Sequence, residues 1–191
     1  MKTEKKIIKL FIKNKKSMTI REIAKNIHAD YKISYTAIQR LADKKIILCE
    51  TIGKSTLCKL NNLYYGVEIY EAENERKDEL LKIKNIKQLY REITEKIKTS
   101  SFIFLIFGSY VNGLQRANSD IDIMIISNEK NLEEKIHQIL SIMPLKTHVL
   151  VFTEEEFINM KDSKTSNVVK ETINNNIILY NTESYYKLKN A

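Results

Sequence analysis

Four residues in one stretch have the types and spacing to do chemistry: Gly108, Ser109, Asp120 and Asp122, all within FIFLIFGSYVNGLQRANSDIDIMII, residues 102–126. The two aspartates alternate with Ile121. In a strand, side chains two apart share a face. Both carboxylates then look one way while Ile121 turns into the core. Like charges held so close repel unless a cation lies between them. A divalent metal meets that need, and oxygen-only ligands favour Mg²⁺ or Mn²⁺. Gly108 and Ser109 close an apolar run, Phe102 to Phe107. A glycine there lets the backbone approach a ligand closely. The N–H groups of a tight turn and the serine hydroxyl can hold phosphate oxygens. Together the set suits a metal-bound nucleoside triphosphate, attacked in line at phosphorus by a hydroxyl.

The surrounding pattern says what must position these groups. Phe102–Phe107 and Ile123–Ile126 read as two buried strands. Ten residues separate Ser109 from Asp120, room for a short helix and a return to a neighbouring strand. A helix is predicted from Asn131 to Ile142, with Leu132, Ile136, Ile139 and Leu140 inward and Pro144 beyond its end. Thr147–Phe152 is the next strand, with His148 near its start. Thr153 can cap a helix whose first turn holds Glu154, Glu155 and Glu156, where acids suit the helix dipole, so none is assigned as a ligand. A helix around Ser166 to Asn174, a strand Ile177–Tyr180 and a last short helix with Tyr185 and Tyr186 packed inward complete the chain.

Gly-Ser-x10-Asp-x-Asp, with Gly113 and Ser119 in SYVNG and SDID, resembles the DNA polymerase β-like nucleotidyltransferase superfamily, and its minimal nucleotidyltransferase branch in particular, over roughly residues 85–155. The resemblance implies Mg²⁺- or Mn²⁺-dependent transfer of a nucleoside monophosphate to a hydroxyl of a protein or small molecule. AMP from ATP is the first choice, another NTP the second. It implies Asp120 and Asp122 as catalytic metal ligands and Gly108 and Ser109 as nucleotide-binding residues. Two positions depart from the branch. Asn112 stands where it often has Arg. His148 stands where a later strand usually supplies a third acid. A histidine there can ligate a metal, act as a base for the attacking hydroxyl, or be a hydrogen-bonded or solvated residue.

The chain has 191 residues, 43% of them hydrophobic and 29% charged, as expected for a soluble protein of one or two small domains. No apolar run approaches the ~20 residues of a membrane span. The basic N-terminus lacks a small-residue cleavage site, so a cytoplasmic location without membrane partners is expected. Two cysteines, Cys49 and Cys58, are too few for a disulfide framework or a cysteine-built zinc site. Charge is uneven. Residues 1–64 hold 15 Lys+Arg against 5 Asp+Glu, net +10, and residues 65–191 hold 17 against 19, net −2. A basic first third suggests a polyanion such as nucleic acid.

Within that third, helices are predicted over Glu4–Lys13, over Ile20–Ile27 with Thr19 and Glu22 as a capping box, and after Ser34 with Ile38 and Leu41 inward. Strands Ile46–Glu50 and Ser55–Leu60 flank a Gly53-Lys54 turn, which sets Cys49 opposite Cys58 as a redox pair or as two small residues on one face. The segment resembles the winged-helix domains of bacterial and archaeal transcription regulators, notably in KKIILCETIGKSTLCKLN. The resemblance implies DNA binding through Tyr35, Thr36, Gln39 and Arg40 of a recognition helix and Lys54 and Lys59 of a wing. Residues 65–98 read as a helical connector, with Leu80, Ile83, Ile86, Tyr90, Ile93 and Ile97 forming a stripe that can join domains, supply a homodimer contact, or pack on the following sheet.

The expected fold is therefore α+β: a winged helix-turn-helix over 1–64, a helical connector over 65–98, and over 99–191 a nucleotidyltransferase-type mixed β-sheet flanked by helices. The expected function is nucleotidyl transfer joined to a DNA-binding module. Resemblance to the minimal branch adds a toxin–antitoxin role, with a partner toxin as acceptor. The alternative is a winged-helix transcription regulator whose transferase domain has become a nucleotide sensor. An RNA- or drug-modifying transferase is a third reading.

Overall fold

The computed structural model describes residues 2–116 and 119–191. The chain divides into two compact units, Met1–Asn74 and Glu75–Ala191.

In the first unit, helix α1 (Lys2–Asn14) buries Ile7, Ile8, Phe11 and Ile12, the i, i+1, i+4, i+5 stripe of an amphipathic helix. A two-residue strand, β1 (Met18–Thr19), leads into α2 (Ile20–Asn26). Thr19 caps α2 reciprocally with Glu22, whose carboxylate accepts the Thr19 N–H at 2.7 Å. Helix α3 spans Tyr31–Asp43. It begins before Ser34, not after it as the sequence suggested. Asp30 is the cap, its Oδ1 accepting the Lys32 N–H at 2.7 Å. Ser34 is buried inside the helix, where its hydroxyl donates back to the Asp30 carbonyl at 2.9 Å. Strands β2 (Ile47–Ile52) and β3 (Ser55–Leu60) form an antiparallel hairpin closed by Gly53 and Lys54. Gly53 has φ +58°, the left-handed conformation such turns require. The sheet order is β1-β3-β2. β1 occupies the break between α1 and α2 and pairs with β3.

Helix α4 (Val67–Leu80) carries the chain through the division, and α5 (Lys84–Lys96) follows after a turn. The stretch read as a helical connector holds two helices rather than one. The turn at residues 81–83, with the Ile83 N–H donating to the Leu80 carbonyl at 3.0 Å, redirects the chain. It lets Ile86, Leu89, Ile93 and Ile97 lie in the core of the second unit. Packing on the following sheet is the use that the stripe finds.

That sheet contains β4 (Ile103–Phe107), β5 (Ile121–Ile126), β6 (Thr147–Phe152) and β7 (Asn176–Tyr180), in order β6-β5-β4-β7. β4 is antiparallel to both neighbours, and β5 and β6 are parallel. The parallel pair is joined through α7 (Leu132–Ser141). Phe104, Ile106, Ile123 and Ile125 join α5 and α7 in one core, while Leu105, Met124 and Ile126 of the other face are buried as well. On that second side lie α8 (Glu154–Asp162), α9 (Val168–Asn174) and α10 (Thr182–Asn190) with buried Phe157, Val169, Tyr185 and Tyr186. Burial on both faces is why β4 and β5 read as unbroken apolar runs. Each such Ile or Phe contributes about 1.5–3 kcal/mol on leaving water. Among the described residues no helix is long and apolar enough to cross a membrane.

Candidate active site

The site is built where β4 ends. Phe107, its last residue, pairs with Asp122 of β5 on one side and with Asn176 of β7 on the other. The next residue, Gly108, has φ +74° and ψ −143°. A Cβ there would collide with the Asp122 carboxylate, lying 3.0 Å from its Cγ and closer still to Oδ2. Only a residue without a side chain lets this backbone lie against that carboxylate. Ser109 opens α6 (Ser109–Asn112), a single turn closed by Gly113 at φ +68°. At four residues α6 has little dipole, so turn N–H groups rather than a macrodipole are what it can offer to an anion.

The return from α6 is tied at its far end. The Ser119 N–H donates to the Arg116 carbonyl at 3.0 Å, and the Arg116 N–H donates to the Ser119 hydroxyl at 2.8 Å. Asp120, immediately before β5, is exposed. Ile121 is buried, and Asp122 is half-buried. His148 is the register partner of Asp122 across the parallel β5–β6 pair. Its Nδ1 lies 3.4 Å from Asp122 Oδ1, a long contact whose donor depends on the tautomer. The His148 side chain is 59% exposed and that of Asp122 28%, so solvent screens the pair. Among the described residues no group of three or more His, Cys, Asp or Glu is arranged to hold a metal. Glu154, Glu155 and Glu156 form the first turn of α8, capped by Thr153, whose hydroxyl accepts the Glu156 N–H at 3.1 Å.

One pair near the site escaped the sequence. Asn175, just before β7, donates from Nδ2 to Asn112 Oδ1 at 2.8 Å, and Asn112 donates from its own Nδ2 to the Gly108 carbonyl at 3.3 Å. The chain Asn175–Asn112–Gly108 braces the turn from a point 63 residues away. No local pattern marks Asn175, since it lies in a run of three asparagines with no periodicity.

The family model for polymerase beta nucleotidyltransferases matches residues 82–185, more than half of the 191-residue chain. The chain belongs to the polymerase beta nucleotidyltransferase family. No curated protein and no solved structure matches it. The nucleotidyltransferase match runs from the turn after α4 into α10, so it takes in α5, all four strands and the turn at Gly108. Membership places the chain in a family of nucleotidyltransferases, which generally use a nucleoside triphosphate and a divalent metal.

The donor set suits such an ion. Mg²⁺ is commonly held by one or two carboxylates, with phosphate oxygens and water filling the remaining positions. Asp120 and Asp122 offer that number, and Gly108, lacking a Cβ, lets the turn lie against the second.

The other sequence-predicted site residues lie in the first unit. On α3, Tyr35, Thr36 and Arg40 are exposed and Gln39 is half-buried. Tyr31 and Ile33, not predicted, are also exposed there, and Tyr31 stacks against Tyr35 with centroids 6.3 Å apart. Arg40 is not a bare cation, since its guanidinium pairs with Glu4 of α1 at 3.2 Å. Lys54 at the hairpin tip and Lys59 on β3 are exposed.

Proposed function

We propose that residues 75–191 transfer a nucleoside monophosphate, AMP from ATP in the first instance, to a hydroxyl of a protein or small molecule. The observation that supports this reading is the close approach of Gly108 to Asp122, which sets the Gly108–Ser109 turn against the Asp122 carboxylate. Gly108 and Ser109 bind the triphosphate through turn N–H groups and the Ser109 hydroxyl. Asp120 and Asp122 hold Mg²⁺ or Mn²⁺, which when bound neutralises charge building on the phosphates. Asn112 and Asn175 keep the turn in place. His148 accepts the proton of the attacking hydroxyl or steadies Asp122. The test incubates the protein with labelled ATP, Mg²⁺ or Mn²⁺ and candidate acceptors. Label transferred by the wild type and lost in Asp120→Ala/Asp122→Ala supports the reading. No transfer dependent on those residues with any nucleotide overturns it.

Residues 1–74, in this reading, are a winged helix that binds DNA. They hold 15 Lys+Arg against 8 Asp+Glu, net +7. The order helix, strand, two helices and hairpin, with exposed Tyr35, Thr36 and Arg40 on α3 and Lys54 on the hairpin, supports it. A DNA-binding module joined to a transferase suits the antitoxin of a toxin–antitoxin pair, with the partner toxin as the hydroxyl acceptor. One observation favours a second reading, a regulator that senses nucleotide without turnover. His148 stands opposite Asp122 where a third carboxylate would complete the metal set. Nucleotide binding without label transfer distinguishes the two.

A further inference from the structure

The β2–β3 hairpin holds two thiols face to face. Cys49 and Cys58 are register partners, with their Sγ atoms 3.2 Å apart and no bond between them. Cys49 is exposed and Cys58 fully buried. Directly opposed residues of an antiparallel pair have Cα atoms about 4.5 or 5.5 Å apart, depending on pair type. Both values lie within the roughly 4.4–6.8 Å that disulfides span. A disulfide bond of about 2.05 Å requires the sulfurs to close by roughly 1.2 Å, a side-chain rotation rather than a backbone movement. The two-residue turn at Gly53-Lys54 and the second pairing of β3, with β1, hold the register, so the thiols cannot slip past each other.

We propose that Cys49 and Cys58 are a dithiol site that reacts with low-molecular-weight disulfides and closes an intramolecular disulfide across the hairpin. The order of events follows from access. Cys49 gives up its proton and attacks one sulfur of the incoming disulfide. That S–S bond breaks, a mixed disulfide forms on Cys49, and the first small thiol leaves carrying a proton. Cys58 then loses its proton and attacks the Cys49 sulfur, and the second small thiol leaves with that proton. The balance is one protein dithiol plus one small disulfide giving one protein disulfide plus two small thiols. Burial, chiefly, and the Cys49 thiol beside it push the Cys58 thiol up to about 12, which keeps Cys58 protonated and second to react. Dithiols of this kind inside cells form transient, redox-sensing disulfides rather than permanent ones. The product would staple the hairpin that carries Lys54 at its tip and Lys59 on β3. The site is independent of whether residues 75–191 transfer nucleotide.

The test uses the reduced full-length protein with glutathione disulfide, quenched in acid and read by intact mass and free-thiol count. Both thiols should disappear, the mass should fall by two hydrogens, and dithiothreitol should restore both. Cys58→Ser should trap one glutathione on Cys49. Cys49→Ser should stay unmodified over the same time, since Cys58 is buried. A wild-type protein that keeps a stable adduct on Cys49 with Cys58 free, that forms covalent dimers instead, or that does not react overturns the proposal.

Discussion

His148 stands directly across the parallel β5–β6 pair from Asp122, with its Nδ1 3.4 Å from Asp122 Oδ1. The position therefore faces the carboxylate that Gly108 backs from the other side. His148→Asp should add a third oxygen donor to the pair Asp120 and Asp122. Mn²⁺ titration by calorimetry should show binding about tenfold tighter, ~1.4 kcal/mol, with faster label transfer. Asp122→Asn should weaken Mn²⁺ binding by a similar factor or more while leaving the unfolding midpoint nearly unchanged. If His148→Asp left metal affinity and turnover untouched, the His148 position would lie outside the metal set.

The two glycines of the Gly108–Gly113 segment should separate strain from chemistry. Both have positive φ, +74° and +68°, so an alanine at either costs of order 1–3 kcal/mol in backbone strain. A Cβ at Gly113 meets nothing within 4 Å, whereas one at Gly108 strikes the Asp122 carboxylate. Gly113→Ala should lower urea stability but keep most transfer activity. Gly108→Ala should lower stability by more, through the clash with Asp122, and abolish transfer. Equal activities in the two variants would remove Gly108 from the site.

For the proposed DNA interface, the salt slope is the informative readout. Removing one lysine that neutralises a phosphate should reduce the slope of log K against log salt by about 0.9. Lys54→Ala/Lys59→Ala should thus flatten the slope by about 1.8 if both touch phosphate. Arg40 begins paired with Glu4 at 3.2 Å. Glu4→Gln should therefore raise affinity for duplex by releasing the guanidinium. Fluorescence anisotropy with one duplex across a salt series measures both effects. An unaltered slope in the double lysine variant would place the phosphates elsewhere.

A pH dependence follows from Glu68. The Tyr64 hydroxyl, first, and the Lys44 ammonium at 2.9 Å hold its carboxyl below the usual carboxylate range. The folded state then binds this proton less readily than the unfolded one. The stabilisation is present above the unfolded value, about 4.3, and is lost as pH falls through the lower folded value. Urea midpoints should therefore decline on acidification below that range, and Glu68→Gln should make the decline shallower. An identical acid limb in the variant would remove Glu68 as a contributor.

Much of this fold is legible in sequence because β4 and β5 are buried on both faces and several helices are capped by side chains. Phe102–Phe107 and Ile123–Ile126 carry no polar alternation to confuse. Thr19 and Thr153 announce their helices through a glutamate three residues on. What local pattern cannot carry is structure made by distant partners. β1 is two residues long and exists because β3 lies beside it. The start of α3 turned on competition between Asp30 and Ser34, two good caps four residues apart, resolved when Ser34 was drawn into the core. At the candidate site, the turn and the paired aspartates are visible as spacing. The Asn112–Asn175 brace is not, since it joins residues whose meeting depends on β7 lying beside β4.

The turn of the chain through α4 has a consequence for where the transferase begins. The family match opens at residue 82, yet Arg76 is buried and its guanidinium donates to the Asn176 carbonyl at 2.6 Å, on the strand beside β4. Leu80 lies in the same core as α5. The inherited boundary and the physical one are therefore offset by about two helical turns. A protein trimmed to the matched residues would leave a backbone carbonyl beside the site without its arginine. A fragment begun at Glu75 keeps that hydrogen bond, and α4 is where family history and folding unit part company.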